Sequence, residues 1–175
     1  MARLPTPHPH RTPRLIAALL LALAAAAPAA EPPADQDQPI QIEADSVELD
    51  EQQSTSLYLG NVIVVQGGMR IEADRVLVAH DATRRPEHVT AWGEPVRYRQ
   101  RPTGDAQEHR ANALRMEYDV AKDEITLIGR AELIQGDDRF SSDRIVYDRS
   151  QAQVKAGASA AGSGRVRITI IPDAK

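Results

Sequence analysis

From Ile40 onward the chain alternates apolar and polar residues with a period of two, and it does so in one run after another. Ile40/Ile42, Val47/Leu49, Met69/Ile71, Val76/Val78, Val96/Tyr98, Leu114/Met116/Tyr118 and Val166/Ile168/Ile170 are all spaced so that one face of an extended strand is apolar. Successive side chains of a strand point to opposite faces, so this pattern suits strands and no other regular element. Gly, Asp and Asn break the runs at short intervals, and no convincing amphipathic helix follows residue 40. The expectation is an all-β domain with antiparallel pairing. Two runs, "VIVV" (62–65) and "ITLI" (125–128), are apolar on both faces and predict strands covered on two sides.

A weak repeat runs through these strands. "EADSVEL", "EADRVLV", "RANALRM" and "SSDRIVY" each place Asp or Asn before two alternating apolar positions, at Asp45, Asp74, Asn112 and Asp143. Three of the units then reach a glycine: Gly60, Gly93 and Gly129. Units of this kind predict stacked β layers in which no unit buries its apolar face alone. The recurring acid is expected at strand starts, where Asp and Asn bond nearby backbone N–H groups.

The first thirty residues stand apart. Basic "MARLPTPHPHRTPR" leads into apolar "LIAALLLALAAAA" and small Ala27-Pro28-Ala29, the layout of a cleavable secretory signal over 1–29. The apolar run is short against the roughly 20 residues of a membrane span. Polar, proline-rich residues 30–39 read as a tether, 40–172 as the folded domain and 173–175 as a tail. The chain has no cysteine, so neither a lipid-modified cysteine nor a disulfide is available to it. Removing the signal takes Arg3, Arg11 and Arg14 from a total of 21 bases, leaving 18 against 25 acids. A net charge of −7 for the exported part disfavours nucleic acid.

Catalytic and metal signals are lacking. His80, His88 and His109 have no ligand spacing, and no nucleophile elbow, zinc-protease, phosphate-loop or dinucleotide fingerprint occurs. An enzyme is not expected, nor are a metal or a cofactor. Aromatics make up 3% of the chain, too few for a stacking carbohydrate groove.

Five segments in order, "QPIQIEAD", "LGNVIVVQGGMRIEADRVLV", "WGEPVRYRQ", "YDVAKDEITLIGRAELIQ" and "SSDRIVYD", resemble the OstA-like family of lipopolysaccharide-export bridge proteins typified by LptA. The resemblance covers residues 39–172. It implies an open, V-shaped β-jellyroll of about sixteen antiparallel strands, a periplasmic location, and lipid A acyl chains carried in an apolar groove. It also implies head-to-tail self-association, an LptC-like partner anchored in the inner membrane, and an LptD-like receptor in the outer membrane. By alternation and motif position the expected lipid contacts are Ile40, Ile42, Val62, Val64, Tyr98, Met116, Tyr118, Val120 and Leu133. The expected edges for assembly are Ile40, Ile42, Val47 and Leu49 at one end and Val166, Ile168 and Ile170 at the other. A secreted structural β-solenoid, with a dry packed interior, is the alternative. An uncleaved amino-terminal segment would instead make the chain an anchored, LptC-like protein.

Overall fold

A computed structural model describes residues 38–101 and 107–171; the expected signal, most of the tether and the tail lie outside the described residues. Ten strands form one sheet: β1 (Ile40–Glu43), β2 (Ser46–Asp50), β3 (Thr55–Gln66), β4 (Met69–His80), β5 (Pro86–Gln100), β6 (His109–Asp119), β7 (Glu124–Gln135), β8 (Asp138–Asp148), β9 (Gln153–Ala156) and β10 (Arg167–Thr169). Every pairing is antiparallel. Strands β3 to β8 form a meander of hairpins, with β1 and β2 both on β3 and β9 and β10 both on β8.

The count is ten, not sixteen, and the reason is a shared interruption. The register shifts between Leu59 and Val62, Glu72 and Arg75, Trp92 and Val96, Asn112 and Arg115, and Ile128 and Ala131. The shifts therefore recur at one level across the sheet. A bulge bends its strand and tightens the local twist. A row of them folds each long strand into two arms, and the sheet into two panels. Counted as separate arms, the six bent strands and the four short ones give the sixteen that the resemblance implies.

Gly60–Asn61 and Gly129–Arg130 build two of these corners with the same left-handed pair, φ 78° and 45° in the first and 76° and 50° in the second. At Gly60 a Cβ would stand 2.3 Å from Asp45 Oδ2, so the close approach needs glycine as well as the dihedral. Three of the four repeated polar residues, Asp74, Asn112 and Asp143, lie within the long strands, and Asp45 lies between β1 and β2. None is at a strand start in the hairpin sense; they belong to the corner. Asp45 Oδ2 accepts from Asn61 Nδ2 at 2.9 Å, and Asp143 Oδ2 accepts from the Ser163 N–H at 2.7 Å.

The first panel contains β1, β10 and the arms 62–66, 69–73, 96–100, 109–113, 131–135 and 138–142. The second contains β2, β9 and the arms 55–59, 75–79, 88–92, 115–119, 124–128 and 144–148. Straight rows of partners cross each panel. In the first, Ile42, Val64, Ile71, Tyr98, Ala111, Leu133, Phe140 and Ile168 stand side by side. In the second, Val47, Tyr58, Val76, Ala91, Met116, Leu127, Ile145 and Ala156 do the same. The central members of both rows are buried in one continuous core. The panels face each other: Arg149, beyond the end of β8, reaches Met69 Sδ at 3.8 Å, and Tyr147 shares a 2.9 Å hydrogen bond with His109 Nδ1. Among the described residues no second layer covers the outer face, and Ile63 and Val65 are half-buried; in the run 125–128 Thr126 is buried and Ile128 half-buried.

Candidate functional site

Period-two parity decides what lines the space between the panels. At the amino-terminal end this space is an open cavity of about 830 Å³. Ile40, Ile42, Val64, Met69 and Ile71 line it from the first panel, and Tyr58, Val78, Val89, Tyr118 and Val120 from the second. His80, Asp81, Arg85 and Glu87 stand at the rim. A wall of this composition offers dispersion contact and no water partners, so it suits hydrocarbon.

The lip is polar for a structural reason. Nearest the hairpin tips of the first panel, the inward row reads Ile40, Gln66, Met69, Gln100, His109 and Gln135. Gln66 Nε2 donates to the Gln38 carbonyl at 3.1 Å, and Tyr98 O–H donates to Gln100 Oε1 at 3.4 Å. Gln66 and Gln100 are buried, and polar groups at this depth are satisfied by the protein. The interior is thus graded from an apolar floor to a polar edge.

Farther toward the carboxyl end the space is filled. Arg149 Nη1 lies 3.3 Å from Asp123 Oδ1, and each side chain is only 13% exposed. Tyr118 O–H donates to the same carboxylate oxygen at 2.9 Å, and the Arg149 guanidinium lies 5.8 Å from the Tyr118 ring centroid. Next to it His109 and Tyr147 meet edge to face, 5.6 Å between centroids. Burial, and then the Arg149 charge, lower the His109 pKa below its ordinary value. Burial raises the hydroxyls of Tyr98 and Tyr147, so both stay protonated donors.

The residues expected to touch lipid divide between these two regions. Ile40, Ile42, Val64, Tyr118 and Val120 line the open cavity. Val62, Tyr98, Met116 and Leu133 are in the packed interior, at most 3% exposed. Sequence reasoning passed over Tyr58, Met69, Ile71, Val78 and Val89 as groove residues, although each shares a row with a named one. Arg149, Asp123 and His109 carried no local signal. They meet only because the panels close on one another.

Most of the expected edge residues share one orientation; Val166 instead lines a concavity at the corner on the outer face. Ile40, Ile42, Val47 and Leu49 at one end, and Ile168 at the other, occupy inward-facing rows. Most lack a neighbour to cover them: Leu49 is 70% exposed, Val47 51%, Ile168 54% and Ile170 68%. The apolar floor therefore runs out through both ends of the sheet. That outer-face concavity, of about 930 Å³, is lined by Arg97, Arg130, Arg165 and Arg167 with Glu94 and Glu132, beside apolar Pro95, Ala131 and Val166. Its lining makes it unsuited to hydrocarbon, and it is separate from the interior. Among the described residues no group of His, Cys, Asp and Glu is placed to hold a metal ion, and no helix is long and apolar enough to cross a membrane.

Residues 41–153 match the family model described as the LptA/(LptD N-terminal domain) LPS transport protein. The lipopolysaccharide export system protein LptH of Pseudomonas aeruginosa is 36% identical over 142 residues, covering 79% of this chain and 81% of that protein. LptA of Escherichia coli K12 is 35% identical over 140 residues, covering 79% and 74%. LptA of Haemophilus influenzae is 33% identical over 141 residues, covering 79% and 80%. Among solved structures, the crystal structure of LptH, the LptA-homologous periplasmic component of the lipopolysaccharide transport device of Pseudomonas aeruginosa, superposes with a TM-score of 0.74 over 80% of this chain and all of that one. With the family match running from β1 to the start of β9 and relatives above 30% identity over most of its length, the chain belongs to the LptA/LptD N-terminal domain family of lipopolysaccharide transport proteins.

Proposed function

We propose that the protein carries lipopolysaccharide between the inner and outer membranes, holding the acyl chains between its panels while the sugars stay at the polar lip. The observation that carries this reading is the open apolar cavity, graded to a polar edge, whose floor continues out of both ends of the sheet. Each methylene hidden from water contributes about 0.8 kcal/mol, so one chain of a dozen carbons represents on the order of 10 kcal/mol. No such lipid crosses an aqueous compartment bare. An open wall of alternating side chains shelters it without any chemistry, in keeping with the transport proteins to which the chain is similar.

The compartment in this reading is the periplasm, reached by cleavage of the signal at 1–29. Molecules associate head to tail, with an LptC-like anchored protein at one end of the file and an LptD-like receptor at the other. The uncovered inward residues of β1, β2 and β10 support this, because unpaired edges invite strand addition and a heterologous contact does not close.

A photo-crosslinking residue placed at Ile42, at Val120 and at Tyr98 in cells tests the carrier reading, with outward-facing Arg99 as the control. Lipopolysaccharide adducts at Ile42 and Val120, and none at Arg99, are expected. Tyr98 adducts would mean that the packed part of the interior also opens during passage. A folded, exported protein without adducts at any inward site would leave a packed structural β-domain as the better account.

A further inference from the structure

The two ends of the sheet are complementary in strand direction, row and charge. Strand β1 is antiparallel to β3, and following the meander through β8 makes β10 antiparallel to β1. The same path makes β9 antiparallel to β2. A second copy set beside the first in the same orientation therefore continues both panels as unbroken antiparallel ladders. The rows fix the facing residues. One outward row of the first panel starts at Glu43 and ends at Arg167, and one outward row of the second starts at Glu48 and ends at Lys155.

We infer that the carboxyl-terminal edge of one copy joins the amino-terminal edge of the next with these rows in line. Arg167 then faces Glu43 and Lys155 faces Glu48 across the junction, while Ile168 faces Ile42 and Ala156 faces Val47 within the groove. The inference rests on the head-to-tail reading and adds to it the register and the residues that select it.

Three observations favour this arrangement. First, residues 40–54 of the amino-terminal edge hold five acids and no base, whereas 153–171 at the other edge hold Lys155, Arg165 and Arg167 and no acid. Like edges repel and unlike edges attract, so the charges fix the polarity of the file as well as its contacts. Second, Glu43, Glu48, Lys155 and Arg167 are exposed, and among the described residues none is in an ion pair. Third, each junction has one strand on either side of the corner. A slip of two residues keeps side chains on their faces but carries Asp45 out of line with the corner of the neighbouring copy, so the bend excludes it.

Charge exchange tests the pairing. Glu43→Lys with Glu48→Lys places bases at both ends of the two outward rows, and Lys155→Glu with Arg167→Glu places acids at both ends. Each double variant alone is expected to associate at least tenfold more weakly than wild type in sedimentation velocity at low salt, and an equimolar mixture to regain files. Recovery on mixing also shows that both variants are folded. Unchanged association of either variant alone, or a mixture as weak as its parts, overturns the pairing. Because the chain has no cysteine, Gln41→Cys combined with Thr169→Cys reads the register directly. The proposed rows set these residues opposite one another, within the Cα separation a disulfide spans. Oxidation is expected to link that variant into ladders and to leave Gln41→Cys with Arg167→Cys unlinked. The reverse result overturns the register while leaving head-to-tail assembly standing. Wild type that stays monomeric at every concentration removes the assembly reading itself, and this inference with it.

Discussion

The amino-terminal and carboxyl-terminal stretches of the interior are made from the same alternating strands, yet one is open and the other is filled. At the open end Ile40, Ile42, Val120 and their neighbours leave a cavity of about 830 Å³. At the filled end Ile145, Leu127 and Met116 pack at no more than 1% exposure, and Arg149 with Asp123 stands between the hairpin tips. Alternation sets which side chains face inward; it does not set how far apart the panels stand. What holds them together at one end is the set of contacts that crosses from tip to tip. The difference therefore lies in packing and not in the secondary structure.

The largest effect expected from this contrast is in the floor. Leu127→Ala removes methyl groups from a site 1% exposed, whose neighbours in the row are equally enclosed. A cost of about 2–5 kcal/mol is expected, read as a lowered midpoint in urea unfolding. Val120→Ala, at the open end, has few atoms to lose contact with, and less than about 1 kcal/mol is expected. Its effect should show instead as weaker lipopolysaccharide adducts at Ile42. Equal destabilisation by the two substitutions would mean that the open end is as tightly packed as the closed one in solution.

Arg149→Ala probes what closes the filled end. Asp123 would keep the Tyr118 hydroxyl and lose its cation, with the carboxylate still largely enclosed. About 1–3 kcal/mol is expected, below the cost of the Leu127 cavity because a group 13% exposed can recruit water. Arg149→Met keeps the length of the chain and its contact with Met69 but not the charge. If the ion pair holds the tips together, both variants should speed amide exchange in the 120–123 turn while leaving β3 and β4 unchanged. A double-mutant cycle with Asp123→Asn separates the pair from simple loss of packing. Uniformly faster exchange would assign Arg149 a general packing role and dissolve the contrast between the two ends.

How much of this could be read beforehand follows the range of each interaction. Strand character is written in spacings of two, but spacing does not say which face of each strand is inward, and the edge positions Ile40, Val47 and Ile168 follow from the family resemblance rather than from their spacing. The corners were legible only in part. "LGN" and "IGR" signal a break, but a bulge within a strand and a turn between strands use the same residues, so the sequence does not tell a bend from a strand end. The filled end was not legible, since Met69 meets Arg149 across 80 residues and nothing local marks either. Asp143 lies between these extremes. It recurs in the repeat, but its partners, the N–H groups of Ser163 and Gly164, depress its pKa from a loop that carries no matching motif.

The smallest effect is the one that depends on pH. His109 lies in the polar lip row and is lowered by burial first and by the Arg149 charge second. A histidine whose folded value is below its unfolded one is held neutral by the fold. Its contribution to stability is whole above the ordinary value of 6.5 and is lost as pH falls through the lower folded value. Protonation would set a second cation beside Arg149, against the Tyr147 hydroxyl that shares its proton at neutral pH. Unfolding midpoints measured downward from pH 7.5 should fall for the wild type, and fall less for His109→Gln. The slope should also shrink in Arg149→Met, since one of its two causes has been removed. If His109→Gln keeps the full wild-type slope, acid sensitivity arises elsewhere, in carboxylates such as Asp81 and Asp143 that lose their hydrogen bonds only at much lower pH. If Arg149→Met keeps it while His109→Gln does not, burial alone sets the histidine, and its neutrality is owed to packing rather than to the Arg149 charge beside it.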